Sequence, residues 1–187
     1  MYYLAEQDRE QLMMRATECL DEGSSIEDKI RAARHLYDLW SDQLKREPNI
    51  HQLIEKLKSC LENSRAAMLE LGIVETCKHC DEEEGGSCCG TGLENKFDTF
   101  LLLMNLLLGV FLPERHHRPD SCYLLTDKGC RLKVRLVLCV DFLCPKILSA
   151  LSHDELVRLQ NISGDELLTG FKLYDALKRF MRNIAGC

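Results

Sequence analysis

Between segments whose apolar residues recur at helical spacing lies CKHCDEEEGGSCCG at 77–90, with four cysteines, four acids and three glycines in fourteen residues. A second set of cysteines follows downstream. The first group is Cys77, Cys80, Cys88 and Cys89 (C-x2-C-x7-C-C), and the second is Cys122, Cys130, Cys139 and Cys144 (C-x7-C-x8-C-x4-C-P). A C-x2-C pair on a tight turn directs two thiolates at one ion and frees amide N–H groups for the negative sulfur. The glycines at 85, 86, 90 and 92 supply the backbone freedom such wrapping needs. The fold therefore has to be one that presents sulfur.

Adjacent cysteines narrow the geometry. Successive side chains diverge by ~100° in a helix and point to opposite sides in a strand. Cys88 and Cys89 are thus awkward as two ligands of one mononuclear ion. They are expected to serve different metals, opposite edges of a cluster, or one metal and one structural contact, with ligands drawn from both cysteine groups.

A chain of 187 residues can bury a core without covalent staples. Its 11 cysteines are more than a cytosolic protein usually carries and fewer than a small disulfide scaffold needs. The N-terminus MYYLAEQDREQLMM has no basic start, apolar core or small-residue cleavage site. A cytoplasmic, reducing location is the expectation, and there clustered cysteines point to metal or redox chemistry rather than to disulfides. The net charge of −6, with no long basic block, argues against a nucleic-acid partner. The most apolar run, Phe100 to Pro113, is shorter than the ~20 residues of a membrane span and has Asn105 in its middle.

The periodicity predicts a mainly α protein: a helical, bundle-like core with a cysteine-rich, metal-wrapped irregular region. A first helix is expected over 5–22 (Leu12, Met13, Ala16, Cys19, Leu20), ending at Gly23. Ser25 caps a second, with Ile26, Ile30, Ala33, Tyr37 and Trp40 on one face and Asp28, Lys29, Arg31 and Arg34 on the other. A third starts near Pro48, runs through Ile50, Ile54, Leu57, Leu61 and Met68, and stops around Gly72. The leucine-rich helix is expected from Glu94 to Leu112, ended by Pro113. Leu132, Val134, Leu136 and Leu138 alternate with polar residues as a short strand or irregular chain would. Ser152 with Glu155 and Ser163 with Glu166 read as capping boxes opening two final helices, separated by residues 161–164. Three segments result: 1–76 helical, 77–145 bearing the cysteine cluster, and 146–187 helical.

The cysteine order resembles that of the CxxCxxCC cysteine-cluster family (YkgJ-type), bacterial proteins described as zinc- or iron-chelating domains. Cys122-Tyr-Leu-Leu, Gly129-Cys130, Arg135-Leu-Val-Leu-Cys139 and Phe142-Leu-Cys144 stand where that family has corresponding steps. The likeness covers about residues 77 to 145. The chain departs from the pattern in a longer, acidic gap from Cys80 to Cys88, in Leu136 where a proline is usual, and in lacking an aromatic between Cys130 and Arg135. The resemblance implies that Cys77, Cys80, Cys88, Cys89, Cys122, Cys130, Cys139 and Cys144 hold zinc or an iron–sulfur cluster. Two alternatives stand beside this: a redox enzyme or electron carrier using the cluster or its thiols, and a helical protein that binds a partner while a metal merely staples its loops.

Other features are weighed against bland readings. Buried cysteines behave as small hydrophobes, which suits Cys19 and Cys60, and Cys187 has no assigned role. His79, His116 and His117 are outsiders as ligands, imidazole being suited to zinc and iron. Asp81 to Glu84 read as a solvated loop. Arg135 is expected to hydrogen-bond a cluster sulfur or to offset thiolate charge, because four thiolates around a divalent ion leave a net charge of about −2. No hydrolytic triad, phosphate loop or nucleotide fingerprint is present.

Overall fold

Ser25 starts the first described helix by accepting from the Asp28 amide with its hydroxyl, and α1 runs over Ile26–Arg46. A computed structural model describes residues 23–83 and 88–185. The expected helix at 5–22, with Cys19, and the terminal Cys187 lie outside the described residues, as do residues 84–87. After a one-residue connection, Pro48 at the N-terminus opens α2, Pro48–Glu70. α3 follows over Ile73–Glu83. A 3-10 turn at Leu93–Lys96 leads to α4, Thr99–Leu107, capped by the Asp98 carboxylate on the Leu101 amide. A two-stranded antiparallel hairpin (β1 Leu125–Thr126, β2 Gly129–Cys130) precedes the short helices α5, Val137–Asp141, and α6, Pro145–Ala150. The last helix, α7, spans His153–Ala185. The protein is mainly α, as the periodicity predicts.

Three apolar clusters explain the packing. α2 lies antiparallel to α7, with Glu70 paired to Arg158 at one end and Ile50 beside Leu177 and Met181 at the other. The largest cluster joins Leu36, Trp40 and Leu44 of α1, Ile50, Ile54 and Leu57 of α2, Phe100, Leu103 and Met104 of α4, and Leu173 and Leu177 of α7. A second gathers the N-terminal half of α1 (Ile26, Ile30, Ala33) with Phe97, Leu102, Val110 and the segment Cys122 to Leu125. A third holds the end of α2 (Ala67, Met68) against Ile73, Val140, Ile147 and Leu159. Among the described residues, no helix is long and apolar enough to cross a membrane.

Several expectations need correction. The leucine-rich helix ends at Leu107, not Leu112. Gly109, at φ 77°, donates to the Leu106 carbonyl while the Val110 amide bonds the Asn105 carbonyl, a Schellman ending that acts before Pro113 can. The two expected final helices are one. Ser163 does not cap; its buried hydroxyl donates back to the Leu159 carbonyl, and Glu166 lies buried between helices. Of the two readings of residues 132–136, the irregular one holds and the strand does not, since the only ladder in the described chain lies earlier, in the hairpin. Lys29, expected on the polar face of α1, is buried and its ammonium donates to the Asn95 carbonyl at 2.8 Å.

Candidate metal centre

Cys77 and Cys80 lie on α3, not on a loop, and sit three residues apart on one helical face. Ile73 anchors this helix in the third cluster beside Val140 and Ile147, and Arg118 reaches across to pair with Asp81. Asp81 to Glu83 therefore belong to a helix and not to a loop.

Beyond the undescribed residues 84–87 the chain is stitched to the second cysteine segment. The Cys122 amide donates to the Cys89 carbonyl at 2.7 Å, and Gly90 forms an isolated antiparallel bridge with Ser121. The buried Glu94 carboxylate accepts from the Gly92 amide at 3.0 and 3.1 Å and from that of Tyr123 at 3.4 Å, tying the two strands of the stitch together. His116 makes a 2.7 Å contact with the Ser121 carbonyl and packs its ring on Tyr123, while His117 pairs with Asp127. His79 is an exposed residue on α3.

The hairpin sets the next two thiols. Leu125 pairs with Cys130 and Thr126 with Gly129, whose φ of 89° closes the turn. This brings Cys130 close enough to Cys122 for its charge to be felt there. Each sulfur faces the amide two residues further on, Leu124 for Cys122 and Leu132 for Cys130. Amides aimed at sulfur favour a thiolate. Burial is the stronger effect at both. It pushes the Cys122 thiol up to about 12, opposed by the Leu124 amide, and raises Cys130 with the Leu132 amide and Arg135 in opposition.

Buried Asn105, completely enclosed, fixes the chain after the hairpin. Its Nδ2 donates to the Leu101 and Val134 carbonyls at 2.9 Å, and its Oδ1 accepts from the Lys133 amide at 2.9 Å and the Val134 amide at 3.0 Å. Arg135 follows directly. Its guanidinium contacts the Met68 sulfur and acts on the charge of Cys77, Cys130 and Cys139.

Of the remaining thiols, Cys77 and Cys139 lie in electrostatic reach of this arginine. Cys77 neighbours Cys144, Cys88 and Cys80; although the residue is exposed, desolvation of its sulfur is the first cause of its raised proton affinity, and those thiols add to it. Cys88 is raised by burial and then by Cys144 and Cys80. Cys139, raised chiefly by burial, neighbours Cys130 more strongly than Cys88. Cys89 and Cys130 pack against the second apolar cluster, which includes Cys122, whereas Cys144 packs against the third. All nine described cysteines are thiols. Cys60 lies apart, its sulfur 3.7 Å from the Thr169 hydroxyl between α2 and α7.

The Cys122–Cys89 hydrogen bond and the packing of α3 on α6 thus bring parts of the two cysteine segments near each other. Among the described residues, however, no group of three or more His, Cys, Asp or Glu side chains is assembled closely enough to hold a metal ion. Asn105 and Glu94, which brace this end, carry no motif; the one hint in the sequence is a polar residue amid leucines. The chain matched no family model, no curated protein and no solved structure.

Proposed function

We propose that this is a metal-binding protein of a reducing compartment, whose eight clustered cysteines take zinc or an iron–sulfur centre. The observation that carries the reading is the stitching of two cysteine segments remote in sequence, with the Cys122 amide on the Cys89 carbonyl and with Cys77 and Cys88 each in electrostatic reach of Cys80 and Cys144. The donor set fits the group: soft thiolates suit zinc and iron, and amides already face two of the sulfurs. Bound metal would supply a multivalent positive charge that displaces the thiol protons and cross-links residues 77 to 145. The chain's own part is to carry Cys77 and Cys80 on α3, Cys122 just before the hairpin, Cys130 on its second strand, and Arg135 near Cys77, Cys130 and Cys139 to offset negative charge. Because the thiols are not yet at bonding positions, uptake draws them together, and part of the binding free energy goes into that closure. The resemblance to CxxCxxCC proteins points the same way.

Metal content and the absorption spectrum of protein purified without oxygen test this. Bound zinc or iron, lost on Cys77→Ser with Cys80→Ser and retained in Cys60→Ser, is the expected result. Full retention in the double variant would refute it. A second reading, an interaction protein with a purely structural metal, draws support from Val137, Leu138, Phe142 and Leu148, apolar side chains exposed on α5, the turn after it and α6 beside the thiols.

A further inference from the structure

We propose that Cys89 and Cys122 are a thiol–disulfide pair, joined covalently when the chain meets a hydroperoxide and released by reducing thiols. The pair needs two sulfurs and no metal, so it stands on the backbone register alone. In a reducing compartment such a bond is transient, as a switch requires. Only its consequence rests on the metal-binding reading above: the bond takes two of the eight candidate donors out of use, so oxidation lowers the chain's capacity for metal.

Gly90 and Ser121 form an antiparallel bridge, and the next residues outward from it are Cys89 and Cys122. The Cys122 amide donates to the Cys89 carbonyl at 2.7 Å, which sets these two directly opposite each other as a hydrogen-bonded pair. Cα atoms of such a pair are about 5.5 Å apart, within the ~4.4–6.8 Å that a disulfide spans, and opposite side chains leave the ribbon on one face. An inward shift of about 1 Å between the Cβ atoms completes the geometry, and a ribbon of one isolated bridge can give that much. Packing agrees with the shared face: Cys122 is buried in the second apolar cluster, and half-buried Cys89 packs against that cluster. The register is braced from both strands, because the buried Glu94 carboxylate accepts from the Gly92 and Tyr123 amides. Rival pairings fit less well. The Cys88 side chain diverges from that of Cys89, and Cys130 stands opposite Leu125 rather than Cys122.

The chemistry balances as a two-electron oxidation. Cys89, the more exposed sulfur, attacks the terminal oxygen of the hydroperoxide; the O–O bond breaks, the alcohol or water leaves with the Cys89 proton, and Cys89 becomes a sulfenic acid. The Cys122 sulfur then attacks the Cys89 sulfur, the S–O bond breaks, and hydroxide leaves with the Cys122 proton as water.

The test takes the full chain, reduced and stripped of metal by chelation, through hydrogen peroxide, alkylation, digestion without reductant and mass spectrometry. A Cys89–Cys122 crosslink is expected as the dominant product, removed by dithiothreitol, kept in Cys88→Ser and lost in Cys89→Ser. Cys122→Ser should leave Cys89 as a sulfenic acid that a 1,3-dione traps. Helicity measured alongside confirms folding, and if the buried Cys122→Ser variant unfolds, the Cys88→Ser and Cys89→Ser pair still decides. A dominant Cys88–Cys89 or Cys122–Cys130 crosslink, or Cys89 and Cys122 both recovered as alkylated thiols after peroxide, overturns the pair. Zinc uptake is read separately on the reduced and the oxidised chain. Lower uptake after oxidation is expected, and equal uptake overturns the consequence for metal binding. A reduced chain that takes up no zinc yet forms the crosslink refutes the metal-binding reading and leaves the pair standing.

Discussion

Replacing Asn105 by leucine keeps the branching of the side chain but removes four hydrogen bonds from a completely buried position. The four losses are unequal. The Leu101 carbonyl keeps its place in the α4 ladder, and Lys133 is exposed enough for water to reach its amide. Val134 is buried, so its amide and its carbonyl are both orphaned. Each unsatisfied buried group costs ~1–3 kcal/mol, and allowing for some relaxation we expect a loss of about 3 kcal/mol. For a chain of this size that lowers the melting temperature by roughly 6–12 °C. Urea unfolding measures the loss, and amide exchange at Val134 and Arg135 shows whether it is local. A loss under ~1 kcal/mol with unchanged exchange would refute the claim that Asn105 holds the Arg135 segment in place.

Two glycines should respond with opposite sign. At Gly109, held at φ 77°, alanine should cost about 1 kcal/mol, because a left-handed backbone penalises a Cβ even where space is open. At helical Gly164, where an added Cβ meets nothing within 4 Å, alanine should gain about 0.5–1 kcal/mol; equal signs by chemical denaturation would contradict the assigned backbone. Glu166 is buried, and burial raises its carboxyl above the ordinary 4.5 against the opposing Ser64 hydroxyl from α2 and Arg135 from the segment before α5. Its contribution to stability is therefore full below the unfolded value and lost as pH rises through the raised folded one. Glu166→Gln should flatten that loss and stabilise the protein at neutral pH; parallel urea midpoints for both proteins from acid to neutral would count against it. Chelation should speed amide exchange in the described parts of 77 to 145 while leaving the α2 and α7 helicity intact, and protection unchanged on chelation would mean the metal is not structural.

Wherever local signals and burial agree, the sequence can be read directly. Ser25 capping α1, Pro48 opening α2 and the apolar stripes of both helices follow from chain-local chemistry, and Ile26, Ile30, Ala33 and Trp40 are buried as their spacing implies. Local signals mislead where tertiary packing decides. The Ser163–Glu166 pair looks like a helix start, yet α7 continues because both side chains turn inward against its long partner α2. The same holds for the site. Cys77-x2-Cys80 suggests a turn, but Ile73 has an apolar socket only if the segment is helical, and two thiols three residues apart then share a face. The divergence of Cys88 and Cys89 was readable from their adjacency. Their neighbours were not, because the pairing depends on the Cys89 carbonyl, the hairpin register and Asn105, none of which leaves a pattern in the chain.

X-ray absorption at the metal edge of the anaerobically purified protein tests the central claim most directly, since it counts the atoms bound to the metal. The account predicts a first shell of sulfur alone, at ~2.3 Å for zinc. A shell dominated by nitrogen or oxygen, at ~2.0–2.1 Å, would contradict it, because the metal would then be held by side chains other than the clustered cysteines.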